Sequence, residues 1–309
     1  MTNLNNIYII GAGAIGKALA VFLNRAGKNV TLVRGSVNDG SASTEAITVE
    51  VRGNTFTENI PVVTLNALAT LDGLIIICTK SFGNEALAAT LQTKSVTSPI
   101  VLLQNGLGIE TPFLHFPQLF RCVLFVTSQT TSGIVRFKPV APCPVGLVQG
   151  DERLLKEITH IMSTADFSFI PEHQIKRNVW SKAIINTVFN SICPLLETDN
   201  GVFHREETAL RLARGIIYTC VAIAERDGVQ LEANEVEANL LRISKASDQQ
   251  LISTLQDIQK GRQTEIDTLN FAIARVAGSN FADDVREVLL LGELIKLKAT
   301  LHHQVGAIS

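Results

Sequence analysis

A chain of 309 residues, 46% of them hydrophobic and 18% charged, has material for two cores of roughly 150 residues each and for a contact between subunits. Its 27 basic and 29 acidic residues are mixed along the chain and give a formal charge of −2, which argues against nucleic acid and anionic membranes as partners. The five cysteines form no C-x-x-C pair and no apolar run approaches the ~20 residues of a membrane span, which excludes a redox dithiol, a disulfide scaffold and a transmembrane helix.

The opening MTNLNNIYII has no basic start and runs straight into a strand. Neither a signal nor a transit peptide is expected, and a reducing cytoplasm fits the unpaired thiols. Strand Ile7 to Ile10 leads into Gly11, Gly13 and Gly16 in G-x-G-x-x-G spacing, then into an amphipathic helix. In that setting Gly11 makes the tight turn, Gly13 lets the backbone approach a pyrophosphate, and Gly16 lets helix and strand pack closely. The helix amino terminus faces the anion. Gly11, Gly16 and Lys17 also nearly spell the G-x-x-x-x-G-K loop of nucleoside triphosphatases, but the magnesium-holding Ser or Thr that should follow is Ala18. The dinucleotide reading is the better one.

Strand two, Asn29 to Val33, ends at Arg34, where an NAD enzyme usually places an acid on the ribose hydroxyls; a guanidinium there suits the 2′-phosphate of NADP. Ile47 to Val51 and Thr55 to Val63 flank Gly53-Asn54 and read as an inserted hairpin. Strand Leu74 to Cys78 is followed by Thr79-Lys80, a second cation on the same rim, and Ile100 to Leu103 by Gln104-Asn105-Gly106. Singly, Arg34 and Lys80 would be solvated surface charges and Asn105 a turn residue; with the glycine turn, the two cations make a phosphate site. Val123 to Thr127 reads as a further parallel strand, Ile134 to Lys138 and Val145 to Val148 as antiparallel edges, and Glu152 to Ala165 as a helix. The rhythm is that of an α/β, Rossmann-type dinucleotide-binding domain over residues 1–171.

Beyond Pro171 strand signals vanish, and residues 172–309 read as an all-α domain for substrate and dimerisation, with helices over Ile175 to Ile192, Ala209 to Asp227, Asp248 to Lys260, Glu265 to Ala277 and Asp284 to Lys298, then a tail from Leu301. The first helix is apolar around most of its circumference, yet Asn178, Lys182, Asn186 and Asn190 recur every four residues as one polar stripe. An ordinary exposed face is the plainer account of such a stripe, but exposed positions favour Glu, Lys, Gln or Ala over repeated Asn. Reduction of a ketone leaves an alkoxide that needs a proton. A lysine on an apolar helix is the natural donor, because burial lowers an ammonium pKa toward the working pH. Lys182 takes that role, with the amides of Asn186 and Asn190 on the substrate. Thr264 and Asp267 read as a capping box, and Glu265 alone is explained by the helix dipole.

These segments resemble the ketopantoate reductases (2-dehydropantoate 2-reductases), NADPH enzymes of pantothenate and coenzyme A synthesis. The likeness rests on GAGAIG, Arg34 with Lys80, QNG at Gln104 to Gly106, W-x-K-x-x-x-N-x-x-x-N at Trp180 to Asn190, DNG at Asp199 to Gly201, and S-x-L-Q-D with T-E-I-D at Ser253 to Asp267. The resemblance implies that Gly11, Gly13, Ala14, Ile15, Gly16, Arg34 and Lys80 hold NADPH. It makes Lys182 the proton donor, puts substrate on Asn186, Asn190, Asn200 and Ser253, and sets Glu265 beside the nicotinamide and reacting oxygen as a catalytic and cofactor residue. Asn105 then touches both ligands. Two positions depart from the family, Gln250 where many members have Asn, and Gln129 in a loop where a small residue is common.

The activity implied is NADPH-dependent reduction of 2-dehydropantoate to pantoate. A reductase of a related branched 2-keto acid is the neighbouring alternative. A non-catalytic NADPH sensor is the other, and it gives no reason for Lys182, Asn186, Asn190 and Ser253 to occur together. The six histidines show no H-x-x-x-H spacing, so no metal is expected, and there is no G-x-S-x-G elbow for a serine hydrolase.

Overall fold

The computed structural model describes residues 4–35, 37–94, 96–278 and 285–306, with side chains as far as residue 302. The chain divides into two compact units, Met1–Gln104 with Ile109–Ile175, and Asn105–Gly108 with Lys176–Ser309.

The first unit runs β1 (Asn6–Ile10), α1 (Ala14–Arg25), β2 (Asn29–Arg34), β3 (Ala42–Val51), β4 (Asn54–Thr64), β5 (Leu74–Ile77), α2 (Asn84–Thr93), β6 (Ile100–Leu102), β7 (Leu119–Cys122), β8 (Val126–Thr131), β9 (Ile134–Pro139), β10 (Cys143–Gln149), α3 (Leu154–Met162) and β11 (Phe169–Pro171). All eleven strands join one sheet in the order β11-β10-β7-β6-β5-β1-β2-β4-β3-β9-β8. The neighbours from β7 through β6, β5 and β1 to β2 are parallel, which is the Rossmann-type core. β5 and β6 are buried at every residue, as strands covered on both faces must be. Alternation sorts the two faces: Ile7, Ile9, Val30 and Leu32 pack with Leu19 and Phe22 of α1, whereas Ile10, Val33, Ile75 and Ile77 pack with Leu91 of α2. The chain leaves β1 toward neighbours on both sides, so the glycine turn after β1 lies at the switch point where such sheets take ligands.

Several expectations shift. The hairpin turns at Arg52-Gly53, not Gly53-Asn54: Val51 pairs with Asn54, and both turn residues have positive φ, 50° and 78°, as a two-residue type I′ turn demands. Val123 to Thr127 is not the next parallel strand. That place belongs to Leu119–Cys122, all buried, while Val126–Thr131 is half-buried only at Val126 and Ser128, exposed elsewhere, and pairs antiparallel with β9. Gln129 accordingly sits in strand β8, not a loop, and is exposed. β10 is antiparallel to β7 but not the edge, because the unforeseen β11 lies outside it.

The second unit holds α4 (Ile175–Leu196), whose first residue falls in the first unit, then α5 (Val202–Arg205), α6 (Glu207–Arg226), α7 (Ala233–Ala246), α8 (Ser253–Gln259), α9 (Asn270–Ala277) and α10 (Arg286–Gly306). α7 was not foreseen because its buried stripe is thin, only Val236, Leu240 and Ser244. α8 is shorter than expected. Ahead of α9 the chain makes a 3-10 turn over Ile266–Thr268 whose N-cap is Glu265, without a side-chain hydrogen bond, and not Thr264, the cap that the expected Thr264–Asp267 box requires. Residues 301–306 of the expected tail continue α10, and 307–309 lie outside the described residues. Among the described residues no helix is long and apolar enough to cross a membrane.

Candidate active site

In the first unit the three motif glycines are held by different constraints. Gly11 turns at φ 122°, and a Cβ there would sit 2.7 Å from the Thr79 nitrogen; at Gly16 it would sit 2.0 Å from the Gly11 carbonyl oxygen. Both are required by packing alone. Gly13 has φ −78°, open to any residue, and a Cβ there would meet nothing within 4 Å. It is the N-cap of α1 without a capping side chain, Ala14 and Ile15 open the helix, and no acid lies in the first turn. The first N–H groups of α1 are therefore left for an anion, and a dinucleotide pyrophosphate fits that cradle.

The rims after β2 and β5 meet: a Cβ on Gly35 would lie 2.5 Å from Thr79 Cγ2. Arg34 is half-buried and hydrogen bonds through Nη2 to Glu45 Oε1, while Lys80 is exposed. Gln104 Nε2 donates to the Thr79 carbonyl (2.9 Å) and to Asn84 Oδ1 (2.7 Å), and Asn84 Nδ2 donates to the Ile109 carbonyl (3.0 Å). The Gln104 amide thus braces the loop that leaves the sheet for Asn105. Burial pushes the Cys78 and Cys220 thiols up to about 12, the wrong direction for a thiolate nucleophile.

In the second unit the α4 stripe is not an exposed face. Asn178, Lys182 and Asn186 are half-buried and Asn190 is 3% exposed. Asn190 Nδ2 donates to the Asn186 carbonyl at 2.7 Å, which assigns the amide and leaves Oδ1 buried without a partner. Pro194 stands four residues on and has no N–H for the Asn190 carbonyl.

Asn200 is built into the loop after α4. Its Nδ2 donates to Ser247 Oγ (3.3 Å), whose own proton goes to the Ile243 carbonyl (2.7 Å). Its backbone N–H donates to the Gln250 carbonyl (2.9 Å), and its carbonyl accepts from Ser244 Oγ (2.7 Å). Asn200 Oδ1 is again buried without a partner. Asp199 Oδ1 accepts the Gly201 N–H at 2.7 Å, and both its oxygens accept from Arg205 at 2.9 Å. Burial pushes the Asp199 carboxyl up, but the Gly201 and Gln249 N–H groups and Arg205 outweigh it and hold the pKa low. Thr187 Oγ1 and Asn270 Oδ1 are likewise buried and without a partner, in residues with no exposed surface at all.

Asn105 belongs to this unit although the sequence places it among the strands. The Leu107 N–H donates to the Thr268 carbonyl at 2.7 Å, and Gly106, at φ 103°, lies so close that a Cβ would be 2.4 Å from Thr268 Cβ. Thr268 Oγ1 in turn donates to the Glu265 carbonyl (3.1 Å). Asn105 and Glu265 are therefore tied to one 3-10 turn. Ser253 is exposed at the start of α8, and Gln250 is exposed three residues before it. Sequence reasoning missed Glu45 and Thr268. Their partners are 11 residues and half a chain away, and no local pattern marks either.

Residues 7–141 match the family model described as Ketopantoate reductase PanE/ApbA, and residues 174–298 match that of its C terminal. The 2-dehydropantoate 2-reductase of Pyrococcus abyssi is 25% identical over 301 residues, covering 96% of this chain and 98% of that protein. Among solved structures, a dimeric ketopantoate reductase from Staphylococcus aureus superposes with a TM-score of 0.81 at 20% identity, over 96% of this chain and 99% of that one. A D-mandelate dehydrogenase in a ternary structure with NADH and anilino(oxo)acetate gives 0.82 at 22% identity and the same coverage. At these identities the structural likeness speaks for the fold.

Proposed function

The chain belongs to the ketopantoate reductase family and is an oxidoreductase acting on a CH–OH group, and from that premise we propose that it reduces 2-dehydropantoate to pantoate with NADPH, a step of pantothenate biosynthesis. The observation that carries the substrate assignment is the pair of buried amide oxygens, Asn190 Oδ1 and Asn200 Oδ1, that have no protein partner. Each amide nitrogen donates one of its two protons to an internal acceptor, which orients the amide and leaves its oxygen a buried acceptor without a partner. A carboxylate and a keto oxygen have no proton to give to such a group, whereas a hydroxyl has. Leaving a buried acceptor unpaired costs about 1 to 3 kcal/mol, and a keto acid that carries a further hydroxyl removes part of that cost.

The cradle at Gly13, Ala14 and Ile15, flanked by Gly11 and Gly16, would hold the pyrophosphate, with Arg34 and Lys80 toward the adenosine end. Asn105 and Glu265 would lie toward the nicotinamide. When bound, the cofactor supplies a hydride to the keto carbon. Lys182 gives its proton to the carbonyl oxygen as that oxygen becomes an alkoxide and then a hydroxyl. Asn186, Asn190 and Asn200 orient the substrate, and Ser253 receives its carboxylate. Glu265 hydrogen bonds near the reacting oxygen and keeps the alcohol in place.

The test is kcat/KM with NADPH for ketopantoate, for its analogue lacking the terminal hydroxyl, and for pyruvate. Ketopantoate is expected to exceed both others by at least about tenfold. Equal use of the hydroxyl-free analogue would leave a related branched 2-keto acid as the substrate.

A further inference from the structure

The cation at the end of β2 is not alone. Arg34 shares the parity of Val30 and Leu32, and Glu45 on β3 shares that of Ile47 and Val49; all four apolar residues belong to the core on the α1 face of the sheet. Both charged side chains therefore project on the face that carries the glycine turn. β4 spans the gap between them, pairing Thr64 with Arg34 and Ile60 with Glu45. The ion pair they form is only partly open to water, with side chains 37% and 32% exposed. Asp39 adds a second carboxylate nearby, held below the usual carboxylate range mainly by hydrogen bonds from Ser41 and in smaller part by the charge of Arg34.

The end of the second strand is where a dinucleotide's adenosine ribose is read, by an acid for a 2′-hydroxyl or by a cation for a 2′-phosphate. This chain offers both at once, from two different strands. A ribose 2′-phosphate meets Arg34 only by displacing or sharing it with a like-charged carboxylate.

We propose that Glu45 is a specificity-determining residue for the dinucleotide, holding Arg34 so that the preference for NADPH over NADH is compressed. This rests on the reading that the first unit binds a nicotinamide dinucleotide. The cation draws the 2′-phosphate in, Glu45 competes with the phosphate for that cation, and the ratio of the two affinities is set by the pair and not by Arg34 alone.

The experiment is equilibrium titration of NADPH and of NADH, followed by the fluorescence of the reduced nicotinamide, without substrate. It compares the wild-type chain with Glu45→Gln, Arg34→Gln and the double variant. Glu45→Gln is expected to tighten NADPH by about three- to fivefold, the upper end of what a partly exposed ion pair contributes, and to leave NADH within about 1.5-fold. In the Arg34→Gln background the same change should no longer alter the ratio, because the group through which it acts is gone. An unchanged affinity ratio in Glu45→Gln, with both dinucleotides still bound, overturns the role of Glu45 alone. Failure of either dinucleotide to bind the wild-type chain overturns the dinucleotide reading and this proposal with it.

Discussion

Gly11, Gly13 and Gly16 share a motif but answer to different neighbours, and substitution separates them. Gly16→Ala drives a methyl to 2.0 Å from a backbone oxygen, and should cost several kcal/mol and a large drop in thermal midpoint, as overpacking against backbone does. Gly13→Ala meets no atom, so its midpoint should move by less than about 2 °C, while NADPH affinity measured by titration should fall at least about tenfold because the methyl fills the cradle. A midpoint that falls as far for Gly13→Ala as for Gly16→Ala would show that Gly13 too is a packing glycine. For Lys182→Ala the expectation is retained NADPH binding with turnover on ketopantoate reduced by about 10² to 10⁴, the usual contribution of a general acid; normal turnover would return Lys182 to a structural role. The sequence marked Lys182, Asn186 and Asn190 through their four-residue spacing. Asn200 and Ser253 had no periodicity to betray them and came from the family resemblance, as did the role of Glu265. Nothing local announces an orphaned amide oxygen, which exists only once Ser247 and the Asn186 carbonyl have claimed the nitrogens.

At the scale of elements, the loop between α4 and α5 depends on a carboxylate. Asp199 has a folded-state pKa below its unfolded value, so its contribution is fully present above an ordinary carboxylate pKa of about 3.9 and is lost as pH falls through the depressed folded value. Asp199→Asn keeps an oxygen for the Gly201 N–H but loses the charge that binds Arg205. Its thermal midpoint should lie about 2 to 4 °C below wild type at pH 7, and the gap should narrow below the ordinary carboxylate pKa of about 3.9 and close as pH falls through the depressed folded value. Calorimetry across that range checks it, and a gap that persists at low pH would mean that packing, not ionisation, is at stake. The central strands and long helices were legible because period and burial agree: β5 is a continuous apolar run, and α4 repeats every four residues. β7 was misplaced because Leu119–Cys122 carries Arg121, buried at 4%, which breaks the apolar run that marks a parallel strand. The Val123 to Thr127 run beside it is the more β-like stretch of sequence.

For the whole molecule, the composition left room for a homodimer, and α10 has a surface suited to one. Val288 and Ile295 face its own unit at 0% exposure, while Leu290, Leu294, Leu297 and Leu301 are 57%, 39%, 54% and 52% exposed. Their spacing reads the same in both directions. An antiparallel copy would set Leu294 against Leu297 and Leu290 against Leu301, which is the self-complementarity an isologous two-fold contact requires. Light scattering should find a dimer at micromolar concentration, and Leu294→Glu with Leu297→Glu should convert it to monomer with the helical content unchanged. A monomeric wild-type chain would dismiss the contact.

The four residues Asn105–Gly108 carry a consequence for anyone who cuts or recombines this chain. A boundary drawn at the end of the sheet, near residue 175, looks clean along the sequence. It nevertheless hands those residues to the wrong fragment, stripped of the Thr268 carbonyl that receives the Leu107 N–H. An isolated amino-terminal piece would keep the Gln104 brace and lose the far anchor of the same loop. In a chimaera that exchanges the helical part with a relative's, the glycine at 106 and the residue that abuts it at 268 must be transplanted together, because a larger residue at 106 has no room beside Thr268.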